Sequence, residues 1–168
     1  MSTFQLLMNV LQDLDQIHIE MVELARYKKQ VLIEGNVEEL SRVMNLESQW
    51  VKQVGKLEEE RVFVTQQLLQ EKGLTIEEVT LLELAKILTS PKEKETINEM
   101  HTRLVKTVEE IKKLNDVNTL LIQQSLDYIS NSIELVMGEP KPSFTYGNPA
   151  SSKQKSSESR PGLFDQKA

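Results

Sequence analysis

Residues Ser90 to Gly138 read as one continuous helix, and a helix of that length restricts the chain to a thin, elongated fold. Ser90 is a candidate N-cap, Pro91 suits the first helical position, and Glu93 completes a capping box. Gly138 suits the left-handed residue after a helix, and Pro140 and Pro142 forbid continuation. At ~1.5 Å per residue such a helix is roughly 70 Å long, too long for one side of an ordinary compact domain.

Its two halves differ. Ile97, Met100, Leu104, Val108, Ile111 and Leu114 recur at gaps of three and four, the single stripe of a helix packed on one neighbour. From Val117 onward the apolar positions double. One row runs Leu114, Val117, Leu121, Tyr128, Leu135; another runs Ile122, Leu126, Ile129, Ile133, Met137. Between Val117 and Val136 only Asp127 and Glu134 are charged. A helix that is apolar on two sides must be covered on two sides, by the rest of the chain or by another molecule.

The preceding chain supplies three more helices. The first is expected from about residue 3 to 34, with Ser2 and Gln5 as its cap and Leu7, Val10, Leu14, Ile17, Met21, Leu24 and Val31 as its stripe. Gly35 and Asn36 then place a helix stop beside a helix start, and so short a turn makes neighbours antiparallel. The second helix is expected over 37–72. Glu47 and Arg61 interrupt its stripe, Trp50 lies at core spacing, and Gly55 sits in mid-helix. A short third helix is expected over 76–88, opened by Thr75 and Glu78, with Leu74 and Val79 as a hydrophobic staple. The last helix occupies 91–137. The expected fold is therefore all-α: an elongated antiparallel bundle or coiled coil of three long helices plus one short one. Residues 1–138 form one domain and 139–168, rich in Pro, Ser, Lys and Gly without periodicity, form a disordered tail.

Charge and composition exclude several classes. The tail carries five basic and three acidic residues, which leaves the helical body at −8 against −6 for the whole chain. A body this acidic opposes phosphate binding, and 5% aromatic residues offer no stacking platform, so no nucleic-acid partner is expected. Absence of cysteine removes disulfides and thiolate metal sites and fits a reducing cytoplasm. The first residues do not read as a secretory signal, and no apolar run reaches the roughly 18–20 residues that span a bilayer.

Enzyme chemistry lacks its parts. A helical di-iron site needs paired Glu-x-x-His motifs; here only Asp15-Gln16-Ile17-His18 is similar, and His101 has Asn98 three residues earlier. No phosphate loop or nucleophile elbow occurs. No catalytic residue, metal or cofactor is expected. His18 reads as a half-buried packing residue and His101 as a solvated or bundle-edge one. Binding through the apolar half of the last helix remains as the activity. Asn115 and Asn118 either fix the register of a partner helix or punctuate an intramolecular bundle. The apolar points of the tail, Phe144-Thr145-Tyr146-Gly147 and Leu163-Phe164-Asp165, are either incidental or short docking motifs.

The run Ile111-Lys112-Lys113-Leu114-Asn115-Asp116-Val117-Asn118-Thr119-Leu120-Leu121 resembles the last-helix motif of the FlgN family of flagellar type III export chaperones, a Leu-Asn-x-x-Asn followed by paired apolar residues. Tyr146-Gly147 is similar to the family's tail motif, and Gly35-Asn36-Val37-Glu38-Glu39-Leu40 to its first helix turn. The tail departs from many members in having Asn148-Pro149 after that motif. The resemblance implies a cytoplasmic, helical chaperone without ATP hydrolysis. Its clients are the hook-associated proteins of the hook–filament junction, kept from premature assembly and delivered to the export gate. It implies a client surface at Leu114, Asn115, Val117, Asn118, Leu121, Ile122, Leu126, Ile129 and Ile133, and gate docking through Tyr146 and Gly147. The alternative is a coiled-coil scaffold or adaptor that self-associates, for instance as a homodimer, through the same helix.

Overall fold

A computed structural model describes residues 2–75 and 79–138, and among these it contains four helices and no strand. They are α1 (Thr3–Glu34), α2 (Val37–Glu71), α3 (Leu81–Ile87) and α4 (Pro91–Met137). The all-α expectation holds. The segment 139–168, with Tyr146, Gly147 and the Leu163-Phe164-Asp165 motif, lies outside the described residues.

Local chemistry sets most helix ends. The Ser2 hydroxyl accepts from the Gln5 amide at 3.2 Å, the Asn36 carboxamide oxygen from the Glu39 amide at 3.0 Å, and the Ser90 hydroxyl from the Glu93 amide at 3.5 Å. Gly35 and Gly138 close α1 and α4 at φ 67° and 65°, backbone that an L side chain resists.

The third helix departs from expectation. It begins at Leu81, not near residue 76, and its cap is Thr80 rather than Thr75. The Thr80 hydroxyl accepts from the Glu83 amide, and the Glu83 carboxylate accepts from the Thr80 amide at 2.9 Å. Glu78, the other half of the expected box, lies outside the described residues. Both Thr75 and Thr80 have a glutamate three residues on, so the local signal is degenerate. From the start at Leu81, Leu84, Ala85 and Leu88 enter the core.

The helices run up, down, and up again. Thr3 at the start of α1 bonds Glu71 at the end of α2, so these two are antiparallel. Arg103 pairs with Asp15, and farther along both helices Asn118 meets Ala25, so α4 runs parallel to α1. α2 and α4 both pack along α1, and their backbones stay apart. At the end holding Ser2, Leu7, Leu11, Leu14, Leu69, Leu84 and Ile97 interlock in the main core, to which all four helices contribute. Toward the α1–α2 turn a smaller cluster of Leu24, Val31 and Val43, with Leu40 and half-buried Trp50 against it, involves only α1 and α2.

The polar interruptions of the stripes have partners. Lys28 of α1 donates to Glu47 of α2 at 2.6 Å with both side chains largely buried. Arg61 bonds Glu58 at 2.8 Å. His18 is half-buried, as its position predicts, and its Nδ1 is buried without a partner. Burial lowers its pKa below the ordinary 6.5, against the opposing pull of Glu58 and Asp15. The unfolded chain therefore takes up the proton first as pH falls below 6.5, and stability declines over that window and not above it. Melting curves from pH 7.5 to pH 5 are expected to fall more steeply for the parent than for His18→Gln. Equal slopes would mean that His18 titrates alike in both states.

Candidate functional site: the uncovered end of α4

α1 stops before α4 does. Ala25 lies beside Asn118; α1 ends nine residues beyond Ala25 and α4 nineteen beyond Asn118, so α4 extends about ten residues, ~15 Å, past the turn. This overhang carries apolar residues with a single charged one, Glu134, among them. Leu126 is 55% exposed, and Ile129 and Ile133 are each 52% exposed. Tyr128, Leu135, Val136 and Met137 are more exposed still. Along one side, Tyr128, Ile129, Ser132, Ile133, Val136 and Met137 line a shallow recess open to solvent. The residues at positions 128, 136 and 137 belong to this surface although the family motif does not reach them. Their signal was the pair of apolar rows, which hold Tyr128 and Met137, in a stretch with almost no charge.

The nine candidate residues separate into three groups. Ile129 and Ile133 stand on the overhang, Leu126 is exposed just before it, and Val117 is exposed on the flank of α4. Leu114, Asn115, Leu121 and Ile122 are half-buried where α4 lies along α1. Asn118 falls elsewhere: it is 1% exposed, and its Nδ2 donates to the Ala25 carbonyl at 2.9 Å. In this arrangement Asn118 is an intramolecular contact, which corrects its placement on an open client surface. The physical reason is its heptad position, which turns it onto α1 together with Ile111 and Leu114. Its Oδ1 is buried and unpaired, an incomplete satisfaction that keeps this joint weaker than an apolar one.

Electrostatically the surface is quiet and acidic. No Lys or Arg occurs from Asn115 to Gly138. Asp127 accepts from Gln123 at 3.0 Å. Among the described residues no three His, Asp or Glu side chains gather as a metal site, and no helix is long and apolar enough to cross a membrane. What this surface can do chemically is exclude water from another apolar helix.

An all-helical body that holds out an uncovered apolar helix end is suited to covering another apolar helix. The chain belongs to the FlgN family: the family model described as "FlgN protein" matches residues 1–154. Its general role is accordingly that of a flagellar export chaperone, a non-enzymatic family. It is similar to "Uncharacterized protein YvyG" of Bacillus subtilis (strain 168), at 27% identity over 158 residues that cover 90% of this chain and 91% of that protein. No solved structure matches it.

Proposed function

We propose that the chain acts in the cytoplasm on hook-associated proteins, holding their terminal helices on the protruding half of α4 until the export gate receives them. The single observation that carries this reading is the uncovered apolar end of α4 at Leu126, Ile129 and Ile133. A terminal segment whose own stripe lacks an intramolecular cover gains the same burial by docking there. Each Leu or Ile so covered contributes roughly 1.5–3 kcal/mol, so a handful offsets the ~4–15 kcal/mol lost on association. Half-buried Leu114, Asn115, Leu121 and Ile122 would then support the joint between client and body, while Tyr146 and Gly147 meet the gate.

Purified full-length chain and a version ending at Gln124 test the reading, with the hook-associated proteins of the same organism as probes. The shorter chain keeps the Asn118–Ala25 contact and loses the overhang. Capture by the full chain alone is the expected result. Equal capture by both removes the client site from the overhang. Solution mass in the same experiment reports on the scaffold alternative, which requires a stable homo-oligomer that ignores these clients. For the tail, Tyr146→Ala is expected to keep capture and reduce client secretion; unchanged secretion would leave Tyr146 without the gate role.

A further inference from the structure

The recess on the overhang is apolar throughout. Tyr128, Ile129, Ser132, Ile133, Val136 and Met137 line it, and its volume is ≈ 430 Å³, room for two bulky side chains. The Ser132 hydroxyl is spent on its own helix, donating to the Tyr128 carbonyl at 2.8 Å. The chain itself continues from the end of this recess. Met137 is the last residue of α4, Gly138 leaves the helix axis in the left-handed conformation at φ 65°, and residues 139–168 follow. Within them Leu163-Phe164 is the one adjacent pair of bulky apolar side chains, and it lies beyond the residues 1–154 that match the family.

Basic residues bracket the pair. Arg160 stands three residues before it and Lys167 three residues after it. From 150 to 168 the basic residues Lys153, Lys155, Arg160 and Lys167 outnumber the acidic Glu158 and Asp165. Three extended residues span ~10 Å, about the width of a helix, so a pair seated on one side of α4 can send both cations to the other. That other side is acidic. At ~100° per residue, Asp127 and Glu134 lie across α4 from Ile129 and Val136. α4 has no basic residue after Lys113, its last turn included, so the negative end of its dipole is unopposed. On the neighbouring parts of α1 and α2, Arg26, Lys28 and Arg42 are held by Glu23 and Glu110, by Glu47, and by Glu38 and Glu39. That leaves Lys29 to offset Glu34, Asp127 and Glu134.

We infer that Leu163 and Phe164 of the chain's own tail seat in this recess, with Arg160 and Lys167 on the acidic side of α4, and cover the apolar end of the helix in the free protein. Covalent attachment supports so small a contact, because it holds the pair near the recess at up to roughly millimolar concentration. The tail is then a built-in competitor. Seated roughly nine-tenths of the time, it weakens any other ligand of the recess about tenfold. The contact does not rest on the chaperone reading, since both of its members belong to this chain.

The test uses the full-length chain. It has no cysteine, so Gln166→Cys takes a single nitroxide label beside the pair. The label is expected to broaden the amide signals of residues 128–137 and to leave those around Phe63, an exposed apolar residue of α2, unchanged. Leu163→Ser together with Phe164→Ser is expected to relieve the broadening. A synthetic peptide of residues 155–168 is expected to bind that double variant about tenfold more tightly than the parent, whose own tail competes. Adding Ile133→Asp is expected to remove the binding, with the amide spectrum reporting that the body stays folded. Broadening shared equally with Phe63, broadening that survives the two serines, or equal peptide affinity for both chains would overturn the contact. Broadening found only between labelled and unlabelled molecules in a mixture would name a second copy as the occupant and overturn it too. No hook-associated protein enters these measurements, so their failure leaves the client site of α4 standing, and failure of client capture leaves them untouched.

Discussion

A chain carrying Leu126→Asp and Ile129→Asp is expected to lose client capture about a thousandfold while folding as the parent does. Both side chains are more than half exposed in the free protein, so their loss removes little internal packing, and each substitution shifts stability by about 0.5 kcal/mol or less. In the proposed complex the same positions are covered. Losing two such burials weakens association by about 3–6 kcal/mol, or roughly 10²–10⁴-fold, and two desolvated carboxylates add to the penalty. Calorimetric titration with a hook-associated protein, beside circular dichroism and melting of the free variant, reads both quantities. Capture within threefold of the parent, with an unchanged Tm, would remove the overhang from the client surface.

The opposite pattern is expected at Leu84. A seven-residue helix does not hold itself in water, since nucleation costs more than so few hydrogen bonds return. α3 therefore depends on its side chains, and Leu84 is 0% exposed in the main core. Leu84→Asp removes a core leucine, worth about 2–5 kcal/mol, and places a carboxylate in its cavity. A loss of at least ~4 kcal/mol corresponds to a fall in Tm of about 10–20 °C for a chain of this size. Amide exchange is expected to accelerate first over α3 and over the parts of α1, α2 and α4 that share its core. A Tm within about 3 °C of the parent would show that α3 is not anchored through Leu84.

These two positions mark how far sequence reasoning reaches. The apolar half of α4 was legible because apolar spacing and missing charge are visible without coordinates. That Leu126 stays open while Asn118 is sealed was not legible, since the two lie only eight residues apart in one motif-rich stretch. The start of α3 shows the same limit. Thr75-Ile76-Glu77-Glu78 and Thr80-Leu81-Leu82-Glu83 are both valid capping sequences, and nothing within either one ranks it above the other. Asp15 drew notice only as the start of Asp15-Gln16-Ile17-His18, although it sits 4% exposed beneath Arg103, a pairing between residues 88 positions apart.

By itself the amino-acid sequence determined the helical class, the three long helices and the ends written by Ser2, Gly35, Asn36, Ser90 and Gly138. Each of those signals is a hydrogen bond or a backbone angle settled within a few residues, so the chain need not be folded for it to act. Tertiary structure alone decided which apolar residues are spent on the core and which remain for a partner. That outcome depends on where α1 and α3 end alongside α4, and burial is a relation between distant segments that no local period encodes.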